Sequence, residues 1–158
     1  MAKQKTYRPN VAAVVLSSKY PDCCEIFIAN RSDKKSSVWQ FPQGGIDDGE
    51  TVREALFREL KEEIGTNDVE IVAEYPKWMS YDFPNTASTK MYPFDGQKQR
   101  YFLVKLKSEA VIDLNTKDPE FMEYKYVSYG EIFEFIAHMK KPIYKKVLEH
   151  FNKNGYIS

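Results

Sequence analysis

Between Thr51 and Gly65 the chain signals a helix at both ends. Thr51, with Glu54 three residues later, has capping-box spacing. Gly65 stands where a left-handed C-terminal cap belongs. A helix bounded in this way must bury one face. At about 100° per residue, Val52, Leu56, Phe57, Leu60 and Ile64 form that face, while Glu54, Arg58 and Lys61 fall opposite. Glu59, Glu62 and Glu63 line one edge of the apolar arc, Glu59 and Glu63 partly inside it. Residues three and four apart share a helix face, so the three carboxylates project together. Like charges at these spacings repel, and beside apolar surface they also lose hydration. Protonation or a basic partner would relieve the repulsion. A divalent cation relieves it best, and hard ions such as Mg²⁺ or Mn²⁺ match oxygen ligands. An acidic helix face is by itself ordinary solvated surface; the wheel position of Glu59 and Glu63 argues against that reading.

The segments around this helix read as strands and turns. Val11–Leu16 is an apolar run typical of a buried strand. Pro21-Asp22 marks a turn before a strand at Glu25–Ala29, and residues 31–37 form a polar loop. A short strand at Val38–Phe41 is stopped by Pro42 and the pair Gly44-Gly45. Val69–Trp78 reads as strand, and residues 82–98, with Pro84, Pro93 and Gly96, as a long loop. Gln99–Leu106 and Glu123–Val127 are further strands. Ser128 and Glu131 repeat the capping-box spacing before a helix at 129–138, and Pro142 suits the first turn of a last helix ending near Asn154-Gly155. Strands with interspersed helices and no regular βαβ alternation predict an α+β fold with a mixed sheet.

At 158 residues the chain suits one domain, residues 1–158, with one substantial core. No apolar run approaches a membrane span, and the first residues lack the apolar segment of a secretory signal. Cys23 and Cys24 are adjacent, so in an extended segment they point apart and do not read as a structural disulfide. His138 and His150 are too few for a zinc site. A reducing, cytoplasmic setting is expected. Zero formal net charge argues against bulk coating of nucleic acid. The charge is uneven, however: residues 47–63 hold seven acids against three bases, and residues 138–158 five lysines against one acid. That suits an acidic metal pocket beside a phosphate-attracting rim, or two solvated faces.

Gly44, Glu50, then Arg58-Glu59-Leu60-Lys61-Glu62-Glu63-Ile64-Gly65-Thr66 resembles the Nudix box at every fixed position but the last, where Thr66 replaces an aliphatic residue. The resemblance implies an α/β/α sandwich with a loop–helix–loop site. It also implies that Glu59, Glu62 and Glu63 are catalytic and hold Mg²⁺, with Mn²⁺ able to substitute. Arg58, Glu50, Gly44, Gly45 and Gly65 become the structural positions of the motif. Pyrophosphate cleavage needs charge stabilisation on phosphate oxygens and an activated water. Glu59 or Glu63 can take the water proton, and the sequence does not choose between them.

Tyr7-Arg8-Pro9-Asn10-Val11, Trp39–Gly45, Gly96-Gln97-Lys98-Gln99 and Pro119-Glu120-Phe121 are similar to the bacterial RNA pyrophosphohydrolase branch, which includes dinucleoside polyphosphate hydrolases. On this resemblance Glu120 joins the metal site. Arg8, Arg31, Lys98 and Lys140 contact phosphate or the 5′ nucleotide, and Tyr81 lines the cleft. Met139 stands where that branch carries an aromatic residue; its thioether can still cover a base, and Phe135 lies one helical turn away. Each of these has a plain alternative as a surface charge or a core residue. The implied function is conversion of 5′-triphosphate RNA ends to monophosphate, which promotes decay. Hydrolysis of diadenosine tetraphosphate is the second reading, and a non-catalytic nucleotide sensor the third. The implied partners are the 5′ end of RNA and dinucleoside polyphosphates; neither a membrane nor a protein partner is inferred.

Overall fold

The apolar run at 11–16 becomes the middle of a strand covered on both faces, which explains why it does not alternate with polar residues. The computed structural model describes residues 4–31, 38–83 and 93–158. In chain order the elements are β1 (Tyr7–Leu16), β2 (Ile26–Arg31), β3 (Trp39–Gln40), β4 (Gln43–Gly45), α1 (Val52–Ile64), β5 (Val69–Glu74), β6 (Met79–Asp82), β7 (Gly96–Leu106), β8 (Phe121–Val127), α2 (Ile132–Phe135) and α3 (Lys141–Lys153). The strands form one sheet of order β3-β2-β1-β7-β5, with β4 on β1, β6 on β7 and β8 on β2. β1 and β7 run parallel, from Tyr7 opposite Gly96 to Leu16 opposite Lys105. The other ladders are antiparallel, so the sheet is mixed, as expected.

Alternation along β1 feeds two cores. Ala12, Val14 and Leu16 join Tyr101 and Leu103 against Tyr144, Val147, Leu148 and Phe151 of α3. Val11, Ala13 and Val15 join Phe102 and Val104 against Ala55, Leu56, Leu60 and Ile64 of α1. The result is helix, sheet, helix. α1 has the expected ends: both capping-box bonds between Thr51 and Glu54 are present, and Gly65 closes the helix at φ 79°.

The expected strand at 69–78 divides, because Pro76 cannot donate to a ladder. β5 and β6 then pair with different stretches of β7. β7 begins at Gly96, earlier than expected, held by β1 on one side and β6 on the other. A Cβ at Gly96 would collide with the Tyr81 carbonyl oxygen. The expected helix at 129–138 shrinks to α2. Ser128 and Glu131 do exchange their bonds, at 3.1 and 3.3 Å, but Ile136 turns extended and is buried. Thr66 is buried, and its hydroxyl accepts the Asp68 N–H at 3.1 Å, so it closes a turn where an aliphatic residue would only fill space. Of the expected loops, residues 32–37 and 84–92 lie outside the described residues. Among the described residues no helix is long and apolar enough to cross a membrane.

Candidate active site

α1 carries its carboxylates to the edge where β4 meets β1. Glu63 is 6% exposed. Its Oε1 accepts the Gln43 backbone N–H at 2.9 Å, while Oε2 is buried without a hydrogen-bond partner among the described residues. Burial, reinforced by the charges of Glu59 and Glu120, pushes its carboxyl well above the usual range. Glu59 lies against Gly44 so closely that a Cβ there would overlap its carboxylate. Burial raises its pKa too, against the pull of Arg58 at 2.8 Å. Glu62 is exposed, 3.2 Å from Arg58. Together with Glu120, these side chains line a cavity of about 650 Å³, with Lys117 and Asp118 also on its wall.

Arg58 organises this half of the site. The wheel placed it toward solvent, but it folds back over the preceding loop. Its Nε and Nη2 make a fork of 2.7 and 2.8 Å with the Glu50 carboxylate, and Nη2 also donates to the Gly45 carbonyl at 2.8 Å. The guanidinium bond and the Asp47 N–H hold the Glu50 carboxyl down to about 2. Arg58 also draws Glu59 and Glu62 toward itself. Among the described residues no three carboxylate, thiolate or imidazole groups converge to close on one ion. The carboxylates share one cavity, and Glu59 and Glu62 share one guanidinium. The donor set nevertheless fits a hard cation: all oxygen, with Glu59 and Glu63 desolvated and one buried carboxylate oxygen unpartnered.

A second cavity of about 550 Å³ lies on the α3 side and includes Arg31, Tyr81, Phe83, Gln97, His138, Met139 and Lys140. It shares Gln43 and Glu120 with the first. Lys140 Nζ donates to Gln43 Oε1 at 3.1 Å and sits 5.1 Å from the centre of the Tyr81 ring. Burial, then the charge of Arg31, pulls its pKa down to about 8. The Tyr81 hydroxyl donates to Gln97 Oε1 at 2.5 Å and is pushed up to about 12 by burial. His138 fixes the local turn: its Nδ1 accepts the Lys140 N–H at 3.1 Å, and its Nε2 lies 3.0 Å from the Trp39 carbonyl. An accepting Nδ1 leaves Nε2 as the donor, so the ring is neutral, in keeping with burial lowering its pKa.

The structure therefore gathers Glu59, Glu62, Glu63, Glu120, Arg31, Tyr81, Met139 and Lys140 around two adjoining cavities. Lys98 points elsewhere, 5.0 Å over the Trp78 ring and beside a separate cavity formed with residues 4–7. Arg8 borders β4, its guanidinium against Gly45. Phe135 packs on Trp39 at 6.4 Å and does not line the second cavity. Gln43 and Gln97 enter the sequence reading only inside longer segments and His138 only as a poor zinc ligand, so none of the three is a site candidate there, although each neighbours one. Phe83, Lys117 and Asp118 carried no signal beyond being near Tyr81 and Glu120.

A glycine-led loop, an acidic helix stapled by one guanidinium, and a mixed sheet between two helical layers together define a loop–helix–loop site suited to phosphate chemistry. The chain belongs to the NUDIX family, whose domain matches residues 6–151. It is 64% identical over 157 residues to an RNA pyrophosphohydrolase of Campylobacter jejuni (strain 81-176), covering 99% of this chain and 100% of the relative. An RNA pyrophosphohydrolase of Helicobacter pylori (strain P12) is 54% identical, over 97% and 98% of the two chains. Among solved structures, the E. coli dihydroneopterin triphosphate pyrophosphohydrolase shares the fold, with a TM-score of 0.72 at 18% identity over 96% of this chain and 100% of that one.

Proposed function

We propose that this chain is an RNA 5′-pyrophosphohydrolase. Water cleaves the anhydride between the α and β phosphates of a 5′-triphosphate end, leaving a 5′-monophosphate and releasing pyrophosphate. The carrying observation is the meeting, at Gln43 and Glu120, of a carboxylate-lined cavity and one lined by cations and aromatic rings. The relatives' names point to RNA as the substrate.

Glu59, Glu62, Glu63 and Glu120 would hold Mg²⁺, or Mn²⁺ in its place, and the bound cation would supply charge for the phosphate oxygens and acidify a water. The chain's own groups do the rest. Lys140 and Arg31 face the polyphosphate from the second cavity. Tyr81, Phe83 and Met139 offer flat or apolar surface to the first base. Gly44 lets Glu59 approach the loop, and Glu59 or Glu63 takes the water proton. Arg58 and Glu50 hold loop and helix in register. The chain acts as one domain, residues 1–158, in a reducing cytoplasm where Cys23 and Cys24 stay thiols; both are free here.

Parallel rate measurements on 5′-triphosphate RNA and on diadenosine tetraphosphate, under one Mg²⁺ condition, test the reading. RNA should be preferred and chelator should abolish the rate. Preference for the dinucleotide would replace the substrate, and absence of turnover on both would leave a nucleotide sensor.

A further inference from the structure

A buried chain of amides ties the two cavities together. Gln99, on β7, has no exposed surface. Its Nε2 donates to Asn10 Oδ1 at 2.8 Å and to Gln43 Oε1 at 2.7 Å, and its Oε1 accepts the Tyr101 hydroxyl at 2.7 Å. Oxygen and nitrogen of an amide are assigned by their partners. Here the assignment starts from Lys140, which can only donate and so requires the oxygen of Gln43. That oxygen requires the nitrogen of Gln99, which leaves the Gln99 oxygen for Tyr101. Both Gln99 amide protons are used, so its rotamer is determined.

Gln43 is the pivot. Its side chain meets Lys140, while its backbone N–H meets Glu63 Oε1. Resting on the reading that Lys140 contacts the polyphosphate and Glu63 the cation, we propose that Gln99 is a positioning residue. It holds Gln43 so that the phosphate-binding and cation-binding groups keep one fixed relation. A purely structural role is poorly served by an amide here: a buried amide must have every bond made, and methionine would fill a similar volume without that demand.

Gln99→Met should lower the Mn²⁺ affinity of the RNA-free protein, read by calorimetry or by electron paramagnetic resonance, by about 10- to 100-fold. Its melting temperature should fall, because Asn10 Oδ1 and the Tyr101 hydroxyl lose a buried partner, so the affinity is read well below the melting transition of both proteins. The loss should be shared with Gln43→Met: once either is made, adding the other should change the affinity less than about 2-fold, since residues acting through one another are not additive. Tyr101→Phe removes only the hydroxyl that orients Gln99; it should give a smaller loss in the same direction and keeps the test open if Gln99→Met does not fold. Unchanged affinity in Gln99→Met and Tyr101→Phe, or additive losses, would overturn the proposal. These readouts need no RNA, so a failure on RNA substrates with the affinity pattern intact would reject the functional reading and leave the coupling standing.

Discussion

Replacing Gly44 by alanine should disable the site while sparing the fold. The Gly44 backbone is outside the left-handed region, so alanine fits the main chain. The new methyl group would nevertheless overlap the Glu59 carboxylate, at less than the 3.0 Å that real Cβ atoms keep. Glu59 is a flexible side chain and can withdraw, but only by about 1 Å or more, and a displacement of that size at a reacting centre costs on the order of 100-fold in rate. That corresponds to about 2.7 kcal/mol in the barrier. Glu59 would leave its bond to Arg58 and lose its place on the first cavity. Stability should move by less than about 1 kcal/mol, because alanine also restricts the unfolded chain. The assay is pyrophosphate release from 5′-triphosphate RNA alongside a thermal melt. A parental rate in Gly44→Ala would mean that Glu59 need not occupy the space above Gly44.

Glu63→Gln should abolish turnover and stabilise the metal-free protein at neutral pH. The folded pKa of Glu63 is raised, so stability falls as pH rises from the unfolded value through the folded one; melts in chelator should show the variant's advantage growing over that window and vanishing in acid. Lys140 is pulled down to about 8, so kcat/KM of the parent should fall as pH rises through that value, while Lys140→Gln should be low at all pH and lack the step. Lys141 is exposed at the start of α3, next to Lys140, and replacing Lys140 and Lys141 together should weaken RNA binding and flatten its dependence on salt; an unaltered salt slope would place both outside the RNA path. Arg58→Lys cannot make the fork to Glu50 or reach Gly45 as well, so it should loosen the loop and slow turnover while retaining the charge, measurable as a lower rate together with a lower melting temperature.

The parts legible in the sequence were those governed by local rules. The capping box and Gly65 fixed both ends of α1, and its helical period placed Glu63 against the core. The run 11–16 marks a buried strand, and the structure covers it on both faces. What depended on tertiary pairing was hidden. β4 is three residues long and exists because β1 offers it a ladder; β6 and the start of β7 exist because they pair with each other. Arg58 faced solvent on the wheel, yet the loop that it grips comes from before the helix. Lys98 and Lys140 are both lysines beside motif residues, and only strand alternation and the α2–α3 turn separate the one over Trp78 from the one beside Gln43.

If α1 presents its carboxylates to a hard cation, a crystal grown in excess Mg²⁺ should hold one there. An ion ligated by oxygens of Glu59, Glu62 and Glu63, with Glu59 and Glu62 turned from Arg58 toward it, is the predicted result. Both carboxylates still on the guanidinium, Glu63 Oε2 still unpartnered and no ion among them would mean that α1 is not a cation site.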